Sequence, residues 1–465
     1  MQMSVRHGLW ATLREAVRGS PIDYTTAPIG RALVMLAVPM VMEMAMESIF
    51  AVADVFWVAH LGADAVATVG LTESMMVLIY TVAMGLSIGA TALVARRIGE
   101  HEPERAADAA GQALLLSLAV AACISLIFAP LAPDLLGLMG ASETVVRTGS
   151  GFTRVMLAGN ASVLLLFMLN AVFRGTGDAA IAMRVLWFGN AINMTLGPCL
   201  IFGVGPFPEL GVTGAAVATT IGRSTAVVYQ LVVLTKGRSR IRLRRQHLRV
   251  HFEVMRTMLR LSGTGTFQIL IGTASYVGLV RIVSLFGSAP LAGYTIGIRI
   301  ILFALLPAFG VSSAAATMVG QNLGAGRVDR AEQAVWTAAR YNMAVLGSVG
   351  VFFLLAARLI VSGFTDDPVV AGYAVDCLRT VSLGFVFYAA GMVLTQAFNG
   401  AGDTWTPTVV NFFVFWLLEI PLAWWLSRTS LGAHGVFIAL TIAYSMMAVV
   451  SAVLFRRGAW KSKKV

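Results

Sequence analysis

The sequence predicts an all-α integral membrane protein: twelve transmembrane helices in two six-helix lobes, related by a pseudo-two-fold axis along the membrane normal. Three observations carry this. The chain has 465 residues, of which 58% are hydrophobic and only 12% charged. That balance excludes an ordinary soluble protein. Apolar runs separated by polar or Gly/Pro punctuation give twelve spans, and a direct repeat divides them six and six.

The spans are predicted at 32–60, 66–95, 109–130, 148–172, 182–203 and 211–235, then at 257–286, 290–320, 333–359, 371–397, 407–427 and 434–455. The tail at 1–31 holds no apolar run, so no cleavable signal peptide is expected and the first span is itself the insertion signal. Basic residues sort by side. Arg6, Arg14, Arg18 and Arg31 precede the first span, and Arg96, Arg97 and Arg105 follow the second. Lys236, Arg238, Arg240, Arg242, Arg244, Arg245 and Arg249 follow the sixth, and Arg456, Arg457, Lys461, Lys463 and Lys464 follow the last. The opposite loops hold Asp64, Asp134, Glu143, Asp366 and Asp367 and few bases. The positive-inside rule then places both termini and the linker in the cytoplasm, and it accounts for the net charge of +11 without a nucleic-acid partner. The organisation is a cytoplasmic tail (1–31), a first lobe (32–235), a basic cytoplasmic linker (236–256), a second lobe (257–455) and a basic cytoplasmic tail (456–465). The linker alternates Arg with Ile, Leu and Val; it either lies on anionic headgroups or is a solvated anchor.

The repeat is read directly. Phe173-Arg174-Gly175-Thr176-Gly177-Asp178 matches Phe398-Asn399-Gly400-Ala401-Gly402-Asp403 at an offset of 225 residues. The same offset takes Gly62 to Gly287, Gly85 to Gly310 and Gly99 to Gly324, and later falls to 221 at Gly211/Gly432 and Gly214/Gly435. Six spans is an even number, so the halves insert in the same orientation, which suits two lobes rocking about a central site.

The first span is chemically the most unusual. It carries Glu43, Glu47 and Asp54. At about 100° per residue all three share one stripe. Each mid-membrane acid costs on the order of 2.5–3.5 kcal/mol, so three on one face need a reason. Met35, Met40, Met42, Met44 and Met46 supply adaptable thioethers around them. Glu43 and Glu47, one turn apart, repel when both are ionised and so tend to share one proton. The competing reading pairs these carboxylates with an arginine or with helix-end backbone, although the span itself contains no base. Asp54 serves either the site or an interhelical hydrogen bond. Glu73, early in the second span, either joins Asp54 or pairs with Arg154. Asn190 and Asn193 are cation-site candidates or interhelical hydrogen-bond formers.

Other features are bland. Cys123, Cys199 and Cys377 are scattered through apolar runs and read as packing residues. Asp178 and Asp403 read as caps of the helices that follow them. The Gly-x-Gly turns lack the βαβ context of a nucleotide fingerprint. His101-Glu102 has no second His for zinc, no catalytic constellation is present, and no cofactor is expected.

The run VADVFWVAHLGADAVATVGLTES, GLSIGATALVARRIGE at 85–100, NAINMTLGPCLIFG at 190–203, SAAATMVGQNLGAGRVDRAEQAVW at 313–336 and both Gly-x-Gly-Asp turns resemble the MATE (multidrug and toxic compound extrusion) transporters. The resemblance covers nearly the whole chain. It implies the MATE/MOP fold with a V-shaped cleft, in a bacterial cytoplasmic membrane, and export of organic cations in exchange for H⁺ or Na⁺. Two departures matter. The NorM-like branch carries a cation-site Glu in its seventh helix, where this chain has Gln268; its seventh and eighth helices contain Arg281 and Arg299 instead. The DinF-like branch, which keeps its acids in the first lobe, often has an Asp where this chain has Gly197. The chain thus resembles the DinF-like branch more, with Glu43, Glu47, Asp54, Glu73, Asn190 and Asn193 as coupling candidates. Glu43, Glu47, Met44, Gln268 and Glu419 are the substrate-contact candidates; Glu419 precedes Pro421, which frees carbonyls. Small organic cations and the lipid bilayer are the expected partners, and the monomer the expected unit. The rivals are a lipid-linked oligosaccharide flippase, which calls for a cationic cleft, and a channel, whose usual ring of equivalent groups is broken by Glu43 against Gln268. A membrane enzyme is the weakest.

The topology is directly testable. A cysteine introduced at position 240 should be shielded from an impermeant label added outside, and one at 366 should react; the reverse result refutes the assigned sidedness.

Overall fold

The computed structural model describes residues 9–20 and 22–463. Arg6 and Lys464 lie outside the described residues. No β-strand occurs among them. The spans are α1 (Ile29–Ala59), α2 (Ala63–Gly99), α3 (Pro103–Phe128), α4 (Glu143–Thr176), α5 (Ala179–Phe202) and α6 (Val212–Thr235). The second set is α7 (Phe252–Ser284), α8 (Ser288–Gly324), α9 (Val328–Ser362), α10 (Pro368–Ser382 and Phe385–Gly400), α11 (Trp405–Ser427) and α12 (Ala433–Arg456). The two segments of α10 are bent by 58°. Its counterpart α4 breaks at Gly159, whose repeat mate 225 residues on is Gly384, in the α10 bend. Local chemistry sets several starts. The Ser142 hydroxyl accepts from Val145 N ahead of α4, and the Asp367 carboxylate accepts from Val369 and Val370 N ahead of α10. Pro103 and Pro368 stand in first helical turns, where a missing N–H costs nothing.

The repeat is explained by how the lobes cross. Helices α2 and α8 are 37 residues each and meet near their C-terminal ends. A Cβ on Gly99 would overlap the carbonyl oxygen of Gln321, and a Cβ on Gly324 would overlap that of Arg96. The offset of 225 takes Gly99 to Gly324 and Arg96 to Gln321, so the two contacts are one contact seen twice. A second pair behaves alike: Gly85 packs on the backbone of Thr266 in α7, and Gly310 on that of Val41 in α1. The pseudo-two-fold axis therefore runs between α2 and α8. Small residues at such crossings let helix backbones touch, which replaces the hydrophobic drive that lipid removes. Farther along, the Cβ positions of Gly70 on α2 and Gly272 on α7 have nothing within 4 Å. The lobes are joined at the end bearing the linker, hereafter the basic end.

A polar strap reinforces that end. Part of the expected tail is a helix, Leu9–Arg18, whose Glu15 pairs with Arg31 at 2.8 Å. The following segment bridges the lobes: the buried Tyr24 hydroxyl donates to Gly177 O (2.9 Å), while Arg327 and Arg330 of the second lobe donate to Thr25 O (3.0 Å) and Tyr24 O (3.3 Å). Asp23 is held below the usual carboxylate range: burial opposes this, but the Thr25 hydroxyl and amide outweigh it.

Two expectations are corrected here. Asp178 and Asp403 make no side-chain cap to the following helix. Asp178 instead accepts from the Ser239 hydroxyl (2.5 Å) and Arg240 N (3.1 Å), and Asp403 accepts from Thr406 (2.7 Å) and pairs with Lys463 (3.2 Å). Each turn clasps the basic segment that ends its own lobe. The linker is neither wholly on headgroups nor wholly solvated. Ile241, Leu243 and His247 are buried in the protein, and Gln112 of α3 grips the linker backbone at Arg249 O (2.7 Å) and His251 N (3.1 Å). Arg238, Arg242 and Arg245 remain exposed.

Gly99→Ala and Gly324→Ala should each lower the melting temperature of the detergent-solubilised protein, by a cost of about 1–3 kcal/mol typical of overpacking. Gly263→Ala, whose Cβ position is open, should leave it unchanged or raise it slightly. Equal melting of all three would remove the crossing from the account.

Candidate functional site

The acidic stripe of α1 does not stand alone. Glu43 is 2% exposed. Its Oε1 accepts from Asn170 Nδ2 (2.8 Å) and Arg174 NH1 (3.2 Å), both on α4; its Oε2 has no partner. Asn170 Oδ1 in turn accepts from Gln230 Nε2 of α6 (2.6 Å). Thus the arginine-paired reading holds for Glu43, the partner coming from the Gly-x-Gly-Asp turn and not from α1. A buried carboxylate is tolerated because it is both hydrogen-bonded and paired.

One to three turns along, a second guanidinium enters. Arg223 of α6 is buried against the rings of Phe50 (5.7 Å) and Tyr80 (5.8 Å), with the Tyr80 hydroxyl 3.4 Å from its NH2. Its charge acts on Glu47, Asp54 and Glu73, which are half-buried and make no hydrogen bond or ion pair of their own among the described residues. The charge of Glu73 acts on Asp54, so Glu73 joins the α1 stripe. The expected alternative, a Glu73–Arg154 pair, is corrected: Arg154 is exposed, and the base facing Glu73 is Arg223. Four carboxylates from α1 and α2 therefore face two guanidiniums from α4 and α6. Acid is in excess.

On α5, Asn193 donates to the Thr219 hydroxyl of α6 (2.8 Å), an interhelical hydrogen bond. Asn190 is equally buried, and its Nδ2 has no partner. Gly197 is buried, yet nothing lies within 4 Å of its Cβ position, so a side chain is sterically admissible where the related branch carries its Asp. Met44 is half-buried beside Glu43 in sequence.

The second lobe repeats the geometry without the charge. The mates of Glu43, Asn170 and Arg174 are Gln268, Thr395 and Asn399, all buried and neutral. Gln268 Oε1 and Thr395 Oγ1 have no partner. Glu419 is 2% exposed on α11, where residues Phe412–Glu419 are wound as a π-helix just ahead of Pro421. Ser275 of α7 donates to Glu419 Oε2 (2.7 Å); Oε1 is unpartnered. The stacked pair Tyr388 and Tyr444 (3.9 Å between centroids) stands close enough to feel its charge. Glu419 contacts Ser275 and not Gln268, so the structure gives no direct link between these two candidates.

Sequence reasoning missed Arg174, Arg223, Asn170 and Gln230 as site residues. Two signals were present. Arg223 is an ionisable residue in the middle of an apolar run, itself a functional flag. Arg174 stands where the repeat has Asn399, the same charged-to-neutral asymmetry as Glu43 against Gln268.

Comparison with known proteins fits this arrangement. The "MatE" family model matches residues 39–199 and 266–425, one block in each half. The chain is 24% identical over 445 residues to "Probable multidrug resistance protein YoeA" of Bacillus subtilis, covering 94% of this chain and 95% of that one. It is 25% identical over 439 residues to "Probable multidrug resistance protein NorM" of Thermotoga maritima, covering 94% of each. Among solved structures, one described as the outward-facing conformation of a multidrug resistance MATE family transporter of the MOP superfamily superposes with a TM-score of 0.88 at 26% identity, over 96% of this chain and 99% of that one. Both halves, their order and the full helical architecture agree: the chain is a member of the MatE family of multi-pass membrane transporters.

Proposed function

We propose that this transporter is a cation-coupled antiporter, exporting organic cations from the cytoplasm in exchange for H⁺ or Na⁺, with both termini cytoplasmic in a bacterial inner membrane and the monomer as the working unit. The observation that carries the reading is the excess of carboxylates around α1. Glu47, Asp54 and Glu73 share one guanidinium, so the cluster has room for added positive charge, whether proton, metal cation or organic cation. Two cations that compete for one set of carboxylates are thermodynamically linked, and the linkage is reciprocal. Each proton moved down a potential of 100 mV supplies about 2.3 kcal/mol to the exchange. The acids of α1 and α2 lie in the first lobe and Gln268 replaces the seventh-helix Glu, which supports the DinF-like branch. The flippase reading calls for a cleft dominated by arginine, and here acid dominates.

The sign of the pH dependence follows. Protonation removes the negative charge that a cationic substrate needs, so substrate affinity should fall as pH drops. Glu43→Gln or Glu47→Gln should flatten this dependence, and the double substitution should abolish gradient-driven transport in proteoliposomes while the protein still folds. A double variant with the wild-type affinity-versus-pH curve removes the pair and leaves Asp54 and Glu73 as the carriers.

The neutral second lobe makes a complementary demand. Gln268→Ala should weaken substrate binding, by roughly the 0.5–1.5 kcal/mol of one hydrogen bond, and leave ion dependence in place. Titration of a fluorescent cation against the purified variant at fixed pH and Na⁺ measures it. Loss of ion dependence with unchanged affinity reverses the division of labour between lobes.

A further inference from the structure

We propose that Arg174 ties the charge state of Glu43 to closure of the lobes at the basic end. The inference rests on the antiport reading and adds a mechanical link to it. The Arg174 side chain is hydrogen-bonded to Glu43 Oε1 at 3.2 Å, while its own backbone carbonyl accepts from the Thr317 hydroxyl of α8, across the lobe boundary, at 3.1 Å. The next carbonyl, Gly175 O, accepts from Gln321 Nε2 of α8 (2.9 Å), and Gly177 O from Tyr24 (2.9 Å). One residue thus faces the ion site with its side chain and the interlobe seam with its backbone. The carbonyls of Arg174, Gly175 and Gly177 are all held at this seam.

The surroundings of Glu43 leave this path little competition. Among the described residues, two charged groups act on it: Arg174 from α4 and Glu47 from its own helix. Helix α5 brings the Trp187 indole, which donates to Met42 O; α8 brings Gly310 onto Val41; α6 brings Gln230 through Asn170, and its Arg223 faces Glu47. The repeat offers no second copy, since Asn399 replaces Arg174 and Ala92 stands in α2 where α8 has Thr317. With Glu43 charged, the guanidinium is held and the turn keeps the register that presents its carbonyls to Thr317 and Gln321. Neutralising Glu43 removes the ionic half of that hold, and the seam loosens. Arg174 is a positioning residue in this scheme: it carries a charge state from the site to the seam.

The test places spin labels at the exposed positions 236 and 329, on the two sides of the seam, in a background lacking Cys123, Cys199 and Cys377. Double electron–electron resonance at pH 8 and pH 5 reads the separation. Wild type should populate a longer distance at low pH, and Glu43→Gln should show that distribution at both pH values. Arg174→Gln should abolish the pH response and Arg174→Lys should partly restore it. Thr317→Val should raise the long-distance population about five-fold and keep the response, as expected for one lost hydrogen bond. A wild-type pH response in Arg174→Gln overturns the proposal. Should that variant not fold, the Glu43→Gln/Thr317→Val double variant decides: additive effects overturn the link, and a smaller Thr317→Val effect in the Glu43→Gln background supports it. Gradient-driven export measured on the same labelled wild type separates the two readings. Its presence with an unlinked Arg174 rejects the lever alone, and its absence rejects antiport itself.

Discussion

The structure depends on the contact between α2 and α8 at Gly99 and Gly324. In lipid, helices have no hydrophobic reason to associate, so two long helices stay crossed only where their backbones approach closely enough for dispersion and peptide dipoles to act. A glycine on each, resting on a carbonyl of the other, meets that demand twice with one sequence element. Other interlobe contacts are arranged around this point: the Gly85 and Gly310 contacts flank it, and the strap at residues 22–27 binds both lobes beside it. The site can therefore be asymmetric in charge while the frame that carries it is symmetric in backbone.

That asymmetry gives the site its chemistry. In the first lobe Glu43, Asn170, Arg174 and Gln230 form a chain of buried donors and acceptors across α1, α4 and α6. In the second lobe the corresponding positions carry the same backbone and no charge. A polar network in a low-dielectric interior is stable only when its charges are matched, and costly when one member is removed. Such a network responds strongly to a single added proton or cation, whereas its neutral counterpart does not. The buried acid of α11, Glu419, has Ser275 for one oxygen and stands where the helix is wound more loosely.

Much of the architecture was legible in the sequence, for physical reasons. Spans are visible because bilayer thickness fixes their length, and the lobes are visible because glycines at crossings cannot be replaced by larger residues without parting the helices. The acids of α1 were legible because a carboxylate in an apolar run is costly wherever it points. Their partners were not, since α4 and α6 approach α1 from more than 100 residues away and nothing in α1 specifies which arginine meets which acid. Sorting bases by the loops that hold them passed over Arg223, which is in no loop. Asp178 and Asp403 were misread because a Gly-Asp step before a helix is compatible with a cap; only the return of a distant basic segment decides otherwise.

The clasps at Asp178 and Asp403 also bear on how the protein is made. Each closes a lobe with a segment that follows that lobe's last helix: Ser239 and Arg240 in one case, Lys463 in the other. The first clasp can engage while most of the second lobe is still to be synthesised, so the first lobe can mature while the ribosome is still working, as domains of larger proteins generally do. The second must wait for Lys463 to emerge. The lobe holding the charged network is thus sealed early, and the second lobe is fastened after it.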